Sequence, residues 1–141
     1  MLGVRFYVLV GLIIGTTSNA IAEDYILPAG VSVLTEEQLL NQAIGNTFFT
    51  KRWAEYYEPP SGNLKKGTFT GKQLKSPISG SWEIDGPFIC FQYDQAYLAE
   101  YNTCYSIAID GDNATWYKTD GSLWYPRGGR IKLISGNPKN L

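Results

Sequence analysis

The chain has 141 residues, of which 44% are hydrophobic, 14% aromatic and 18% charged, with a formal net charge of −1 at pH 7. So neutral a balance argues against nucleic acid and anionic lipid as partners, since both select a basic excess. Histidine is absent, which excludes Ser-His-Asp and Cys-His nucleophile systems and every histidine-based zinc or copper site.

The amino-terminal segment has the layout of a secretory signal peptide. Arg5 supplies a short positive start, residues 6–14 are apolar throughout, and the small, polar stretch 16–22 ends in Ala20-Ile21-Ala22. Cleavage is expected before Glu23. An uncleaved anchor is the alternative, but a spanning helix needs about 20 apolar residues and polar ones begin at Thr16. Removing residues 1–22 leaves 23–141, a length suited to one domain with a proper core. No later segment is long and apolar enough to span a bilayer as a helix, so the expected location is periplasmic or secreted.

Residues 23–34 read as an extended lead-in. Thr35 and Gln38 then form a capping box, with Leu34 and Leu39 at the staple positions and Glu36 and Glu37 at the positive end of the helix dipole. Leu39, Leu40, Ala43 and Ile44 make one apolar stripe, and Gly45 stops the helix. Beyond Gly45 the period changes to two. Strands are predicted at 47–50, 53–58, 67–71, 81–85, 88–93, 103–110 and 114–118, with a last one around Ile131 and Leu133. Turns fall at Pro59-Pro60-Ser61-Gly62-Asn63, Asp85-Gly86-Pro87, Gly111-Asp112-Asn113 and Asp120-Gly121. No helical crossover separates the strands, so the sheet should be antiparallel. The expected fold is mainly β: a small barrel or curled sandwich of about seven to eight strands, one end closed by the short helix.

Cys90 and Cys104 sit on adjacent predicted strands. An even cysteine count in an exported chain implies pairing, and their bond would close a loop of about 15 residues. Their spacing is not that of a redox motif, and the chain has no third cysteine or histidine to complete a zinc set.

The aromatic residues are the first candidates for a site, because Trp and Tyr serve both as ligand platforms and as cross-strand packing. Trp82 alternates with Ser81 and Glu83 and is read as core. Trp124, Tyr125, Arg127 and Arg130 cluster in one glycine-containing loop. A solvated loop is its simpler reading; as a site, its two arginines would hold a carboxylate or phosphate. Lys65, Lys66, Lys72 and Lys75 surround one short strand and read as a charged edge that blocks aggregation, or as a surface for an acidic partner. Asp85, Asp110 and Asp120 each precede glycine, a turn preference that accounts for them without chemistry. The Asp110-Gly111-Asp112-Asn113 run lacks the ligand spacing and closing Glu of an EF-hand and reads as a hairpin turn. No acid pair stands out as catalytic, no metal site is expected, and no cofactor is implied.

Several short motifs, taken together, carry a resemblance. They are Leu34-Thr35-Glu36-Glu37-Gln38-Leu39, Gly45-Asn46-Thr47, Glu55-Tyr56-Tyr57, Gly80-Ser81-Trp82, Cys90-Phe91-Gln92-Tyr93, Cys104-Tyr105, Asp110-Gly111 and Gly136-Asn137-Pro138. In this pattern the chain resembles a group of small exported proteins of alphaproteobacteria whose function is uncharacterised. The resemblance implies a periplasmic location and a compact β fold, and no catalytic residue. In outline the expected barrel is also similar to periplasmic lysozyme inhibitors and small lipocalin-like barrels, by analogy of fold. The functional expectation is a non-enzymatic binding or interaction module that takes a small ligand or an envelope protein. The alternatives are an envelope assembly or structural factor, or a hydrolase using a carboxylate pair.

Overall fold

The structure, a computed structural model, describes residues 25–62 and 64–141. The signal segment expected over residues 1–22, and the cleavage expected before Glu23, lie outside the described residues. Helix α1 (Glu36–Gln42) starts at the expected cap: the Thr35 hydroxyl accepts from the Gln38 N–H, and the Thr35 N–H donates to Gln38 Oε1 at 2.9 Å. Its apolar side buries Leu39, with Ala43 and Ile44 following it into the core. A helix of seven residues is too short to stand alone, so this burial holds it.

Eight strands follow: β1 (Asn46–Phe49), β2 (Trp53–Tyr57), β3 (Lys66–Gln73), β4 (Ser76–Asp85), β5 (Phe88–Tyr93), β6 (Cys104–Asp110), β7 (Asn113–Tyr117) and β8 (Ile131–Ser135). Each is antiparallel to the next, and β8 returns to β1, so the sheet is a closed up-and-down barrel. Of the two expected architectures the barrel is the one formed. Closure leaves no sheet edge. β3 is paired with both β2 and β4, which corrects the charged-edge reading: Lys66 and Lys72 stand on a solvated outer face instead. Asp110 and Asn113 face each other across a plain hairpin turn.

Alternation fills the barrel. β4 points Ile78, Trp82 and Ile84 inward and β5 points Ile89 and Phe91, all buried. Gly80, between Ile78 and Trp82, is there for a close approach: a β-carbon on it would lie 2.7 Å from the Phe69 ring and collide with the Gln92 carbonyl oxygen. Gly71 meets the Ala54 carbonyl oxygen in the same way. We expect Gly80→Ala to cost ~1–3 kcal/mol, the usual range for overpacking, in a chemical denaturation curve; an unchanged midpoint would contradict the packing described.

The barrel's two ends differ. The Gly45 N–H donates to the Tyr57 carbonyl at 2.7 Å, and Glu36 pairs with Lys65 just before β3, so α1 closes the end where β2 and β4 finish. The opposite end, where β2 and β4 begin, is overlaid by a 3-10 helix (Ala96–Tyr101) and by the loop between β7 and β8. That loop is tied down by its backbone: the Thr50 hydroxyl donates to the Arg127 carbonyl at 3.0 Å and the Lys51 N–H to the Gly128 carbonyl at 3.2 Å.

The seams also differ. β3 and β4 stay in register from Lys66 opposite Glu83 to Gln73 opposite Ser76, whereas β5 and β6 pair only at Ile89–Tyr105 and Cys90–Cys104. The Cys90–Cys104 disulfide forms at this short seam. The lead-in also runs along it: the Leu34 N–H donates to the Ile107 carbonyl at 2.8 Å and the Tyr25 hydroxyl to Ser106 Oγ at 2.7 Å. Among the described residues, no helix is long and apolar enough to cross a membrane.

Candidate functional site

The alternation of β2 places Trp53, Glu55 and Tyr57 on the inner face, with Tyr56 between them turned the other way. Glu55 is thus a carboxylic acid inside a barrel, 3% exposed. Both of its oxygens accept hydrogen bonds: Oε2 from the Tyr57 hydroxyl at 2.8 Å and Oε1 from the Tyr93 hydroxyl at 2.5 Å. A carboxylate offers about four lone-pair positions, so the two tyrosines leave acceptor capacity. Glu55 spends it on a cavity, of which it is a lining residue.

The cavity occupies the barrel end away from α1. It provides ≈ 50 Å³ in which the centre of a water molecule fits. At ~10–15 Å³ per water this is room for about four waters. Its walls are aromatic. Trp124 lies 5.6 Å from Trp116, 6.4 Å from Trp53 and 5.1 Å from Tyr105 between ring centroids, and Tyr101 reaches it edge-on from the 3-10 helix at 6.5 Å. Leu98 of the same helix and Ile78 of β4 add apolar surface. Arg127 stands exposed at the rim.

Electrostatics follow from burial. Desolvation raises the pKa of Glu55, and the hydrogen bonds from Tyr93 and Tyr57 oppose it. The hydroxyls of Tyr57 and Tyr93 are pushed well above the usual tyrosine value, first by burial and then by the Glu55 charge. Tyr105 is pushed up to about 12, mainly by burial. All three therefore stay protonated donors at any ordinary pH.

A glutamate whose folded pKa is raised favours the fold in its neutral form. Its contribution to stability is complete below the ordinary glutamate pKa and is lost as pH rises through the raised one. Glu55→Gln mimics the neutral form, since an amide can accept from one tyrosine and donate to the other. We expect the melting temperature of this variant to match the wild type in acid, to exceed it increasingly as pH rises from the ordinary glutamate pKa through the raised Glu55 one, and to keep a constant margin beyond that. A difference independent of pH between 4 and 8 would refute the assignment.

Of the loop residues singled out from sequence, Trp124 and Arg127 line the cavity. Tyr125 is 80% exposed, outside it. Arg130 lines a separate basic groove with Lys51, Arg52, Lys132 and Lys139. Sequence reasoning missed Glu55 as a site residue, although the signal was present: Trp53 and Tyr57 at plus and minus two positions mark its face as the buried one. Among the described residues, no group of three metal-ligating side chains comes together. No protein family, curated protein or solved structure matches the chain, and the functional reading rests on the geometry of this cavity.

Proposed function

We propose that the mature chain is an exported, non-enzymatic binding module of the periplasm, akin to the small alphaproteobacterial proteins it resembles, and that its ligand is a small molecule held at the barrel end away from α1. One observation carries this reading: an aromatic cavity with a buried carboxyl group in its wall. Burying an acid works against stability, and such costs are retained where a site needs them. Small-ligand sites are typically concave and apolar, with a few placed polar groups that fix orientation, and Glu55, Gln73 and Arg127 are such groups here. The disulfide fits an oxidising compartment. Hydrolysis by paired carboxylates needs two acids about 5–10 Å apart, and Glu55 is the one acid among the described lining residues, which favours binding.

Native mass spectrometry on the protein recovered from its own envelope fraction tests the reading. The expected result is a chain beginning at Glu23, two hydrogens short for the disulfide, and carrying extra mass that gentle ionisation preserves. A bare chain that also binds nothing from a concentrated envelope extract would overturn it.

A further inference from the structure

We infer that the cavity selects a small betaine, a zwitterion whose methylated ammonium enters the aromatic box above Glu55 and whose carboxylate meets Arg127 at the rim. This rests on the cavity being a ligand site, as proposed above, and adds the chemical class of the ligand.

The inner half of the argument is charge. The faces of Trp53, Trp116, Trp124 and Tyr105 carry negative potential, and the Glu55 carboxyl adds to it. A neutral ligand would leave that carboxyl facing apolar atoms, and an anion would be repelled. A cation gains from both, and more so where its seating displaces water. The kind of cation follows from hydrogen-bond supply. A primary ammonium carries three donors that all need acceptors. The cavity offers it the free lone pairs of Glu55, the Gln73 side chain and tyrosine hydroxyl oxygens, but most of its wall is aromatic and aliphatic carbon that accepts nothing. A methylated ammonium demands no donated hydrogen bonds and covers the rings with methyl groups.

The outer half is Arg127. A guanidinium at the mouth would repel a simple cation such as choline. It becomes favourable when the ligand also has an acidic end, which a guanidinium grips in two-point fashion. The distance spanned must be small, because the enclosed space admits about four waters. Glycine betaine has one methylene between its charged ends, so its carboxylate stays at the rim when the methylated head is inside.

The charged and titratable groups around Glu55 are Tyr57 on its own strand, Tyr93 on β5, Tyr105 on β6, Tyr101 on the 3-10 helix and Arg127 on the loop. Tyr57, Tyr93 and Tyr105 are held above the ordinary tyrosine value and stay neutral, so binding of the betaine should strengthen with pH as Glu55 ionises and then level off.

Isothermal calorimetry on the mature, disulfide-bonded protein tests the inference with three probes: glycine betaine, choline, and 3,3-dimethylbutanoate, which replaces the trimethylammonium by a neutral group of the same shape. Glycine betaine is expected to bind roughly tenfold or more tightly than 3,3-dimethylbutanoate, the scale of a desolvated cation–aromatic contact. Glu55→Gln should reduce that preference, leaving the part the rings supply. Arg127→Gln, a rim change that leaves the barrel interior untouched, should weaken glycine betaine severalfold and leave choline unchanged or improved. Equal binding of glycine betaine and 3,3-dimethylbutanoate, or binding of neither, would overturn the inference. If the protein recovered from the envelope then retained a neutral or anionic molecule in native mass spectra, the cavity would still be a ligand site and only the ligand class would be wrong.

Discussion

Trp82→Ala is expected to lower stability by about 3–5 kcal/mol, the range for removing a large buried aromatic. Trp82 is 1% exposed, and its indole N–H donates to two backbone carbonyls, Thr68 at 3.0 Å and Glu58 at 3.2 Å. Its ring occupies the space that a side chain on Gly67, its cross-strand partner, would need: a β-carbon there would lie 2.7 Å from it. The glycine cannot refill what the ring vacates. For a domain of this size the loss should lower the melting temperature by roughly 10–20 °C. Trp82→Phe keeps much of the apolar area and loses the shared donor, so it should fall between wild type and alanine. Calorimetric melts of the three proteins decide the matter. A Trp82→Ala protein that melts within a few degrees of wild type would mean that the indole does not anchor the β3–β4 ladder.

Removing the disulfide is expected to have the next largest effect. Cys90 and Cys104 are 14 positions apart, and the chain-entropy model assigns a loop of that size ~3 kcal/mol. Two features specific to this barrel add to the consequence. The bond staples the β5–β6 seam, which stays in register at two positions, and it closes the base of the segment bearing Leu98 and Tyr101. The Cys90→Ala/Cys104→Ala double variant should therefore be destabilised overall and should also lose protection selectively at residues 94–103. Hydrogen exchange followed by mass spectrometry reads both effects. Uniform loss of protection across the barrel would show that the bond acts only on the unfolded chain; unchanged stability would show that the lead-in alone secures the seam.

Much of this architecture can be read from local chemistry. The Thr35–Gln38 capping box fixes the helix start, and period-two alternation marks β5 through β8 within a residue or so. The longest hairpin is harder to see. β3 and β4 together run from Lys66 to Asp85, through Gly71, Pro77 and Gly80, all of which look like breakers. In the fold those two glycines make room for the Ala54 carbonyl and the Phe69 ring, and they interrupt nothing. Pro77 lies in the exposed first residues of β4, beside a tight turn at Leu74 and Lys75. Leu74 takes a left-handed backbone conformation at φ +54°. A leucine gives no turn signal, and so the hairpin tip is silent in the sequence.

The site is legible in part for a similar reason. Trp124 and Arg127 attract notice as aromatic and basic residues in a glycine-containing loop, yet their neighbours Tyr125 and Arg130 look equivalent in sequence and point elsewhere. Hydrogen bonds to the loop backbone decide which side chains reach the cavity: the Trp124 N–H donates to the Trp116 carbonyl at 2.9 Å, and Thr50 and Lys51 hold the carbonyls of Arg127 and Gly128. Glu55 is obscured by its type, since an acid is read as an outward residue unless its strand face is considered. The 3-10 helix contributes Leu98 and Tyr101 through a fold-back that residue pattern alone does not specify.

The central claim, that the cavity over Glu55 receives a small ligand, has an internal control in the four tryptophans. Trp53, Trp116 and Trp124 line the cavity, while Trp82 is hydrogen-bonded toward Glu58 and Thr68, away from it. Nitrogen-15 NMR resolves their indole N–H signals. The measurement is a titration of the mature protein with the small-molecule fraction of its own envelope extract. The predicted result is movement of the Trp53, Trp116 and Trp124 signals, with Trp82 unmoved, and loss of the response in Glu55→Gln. Four unmoved signals, or a shift at Trp82 matching the other three, would contradict the account.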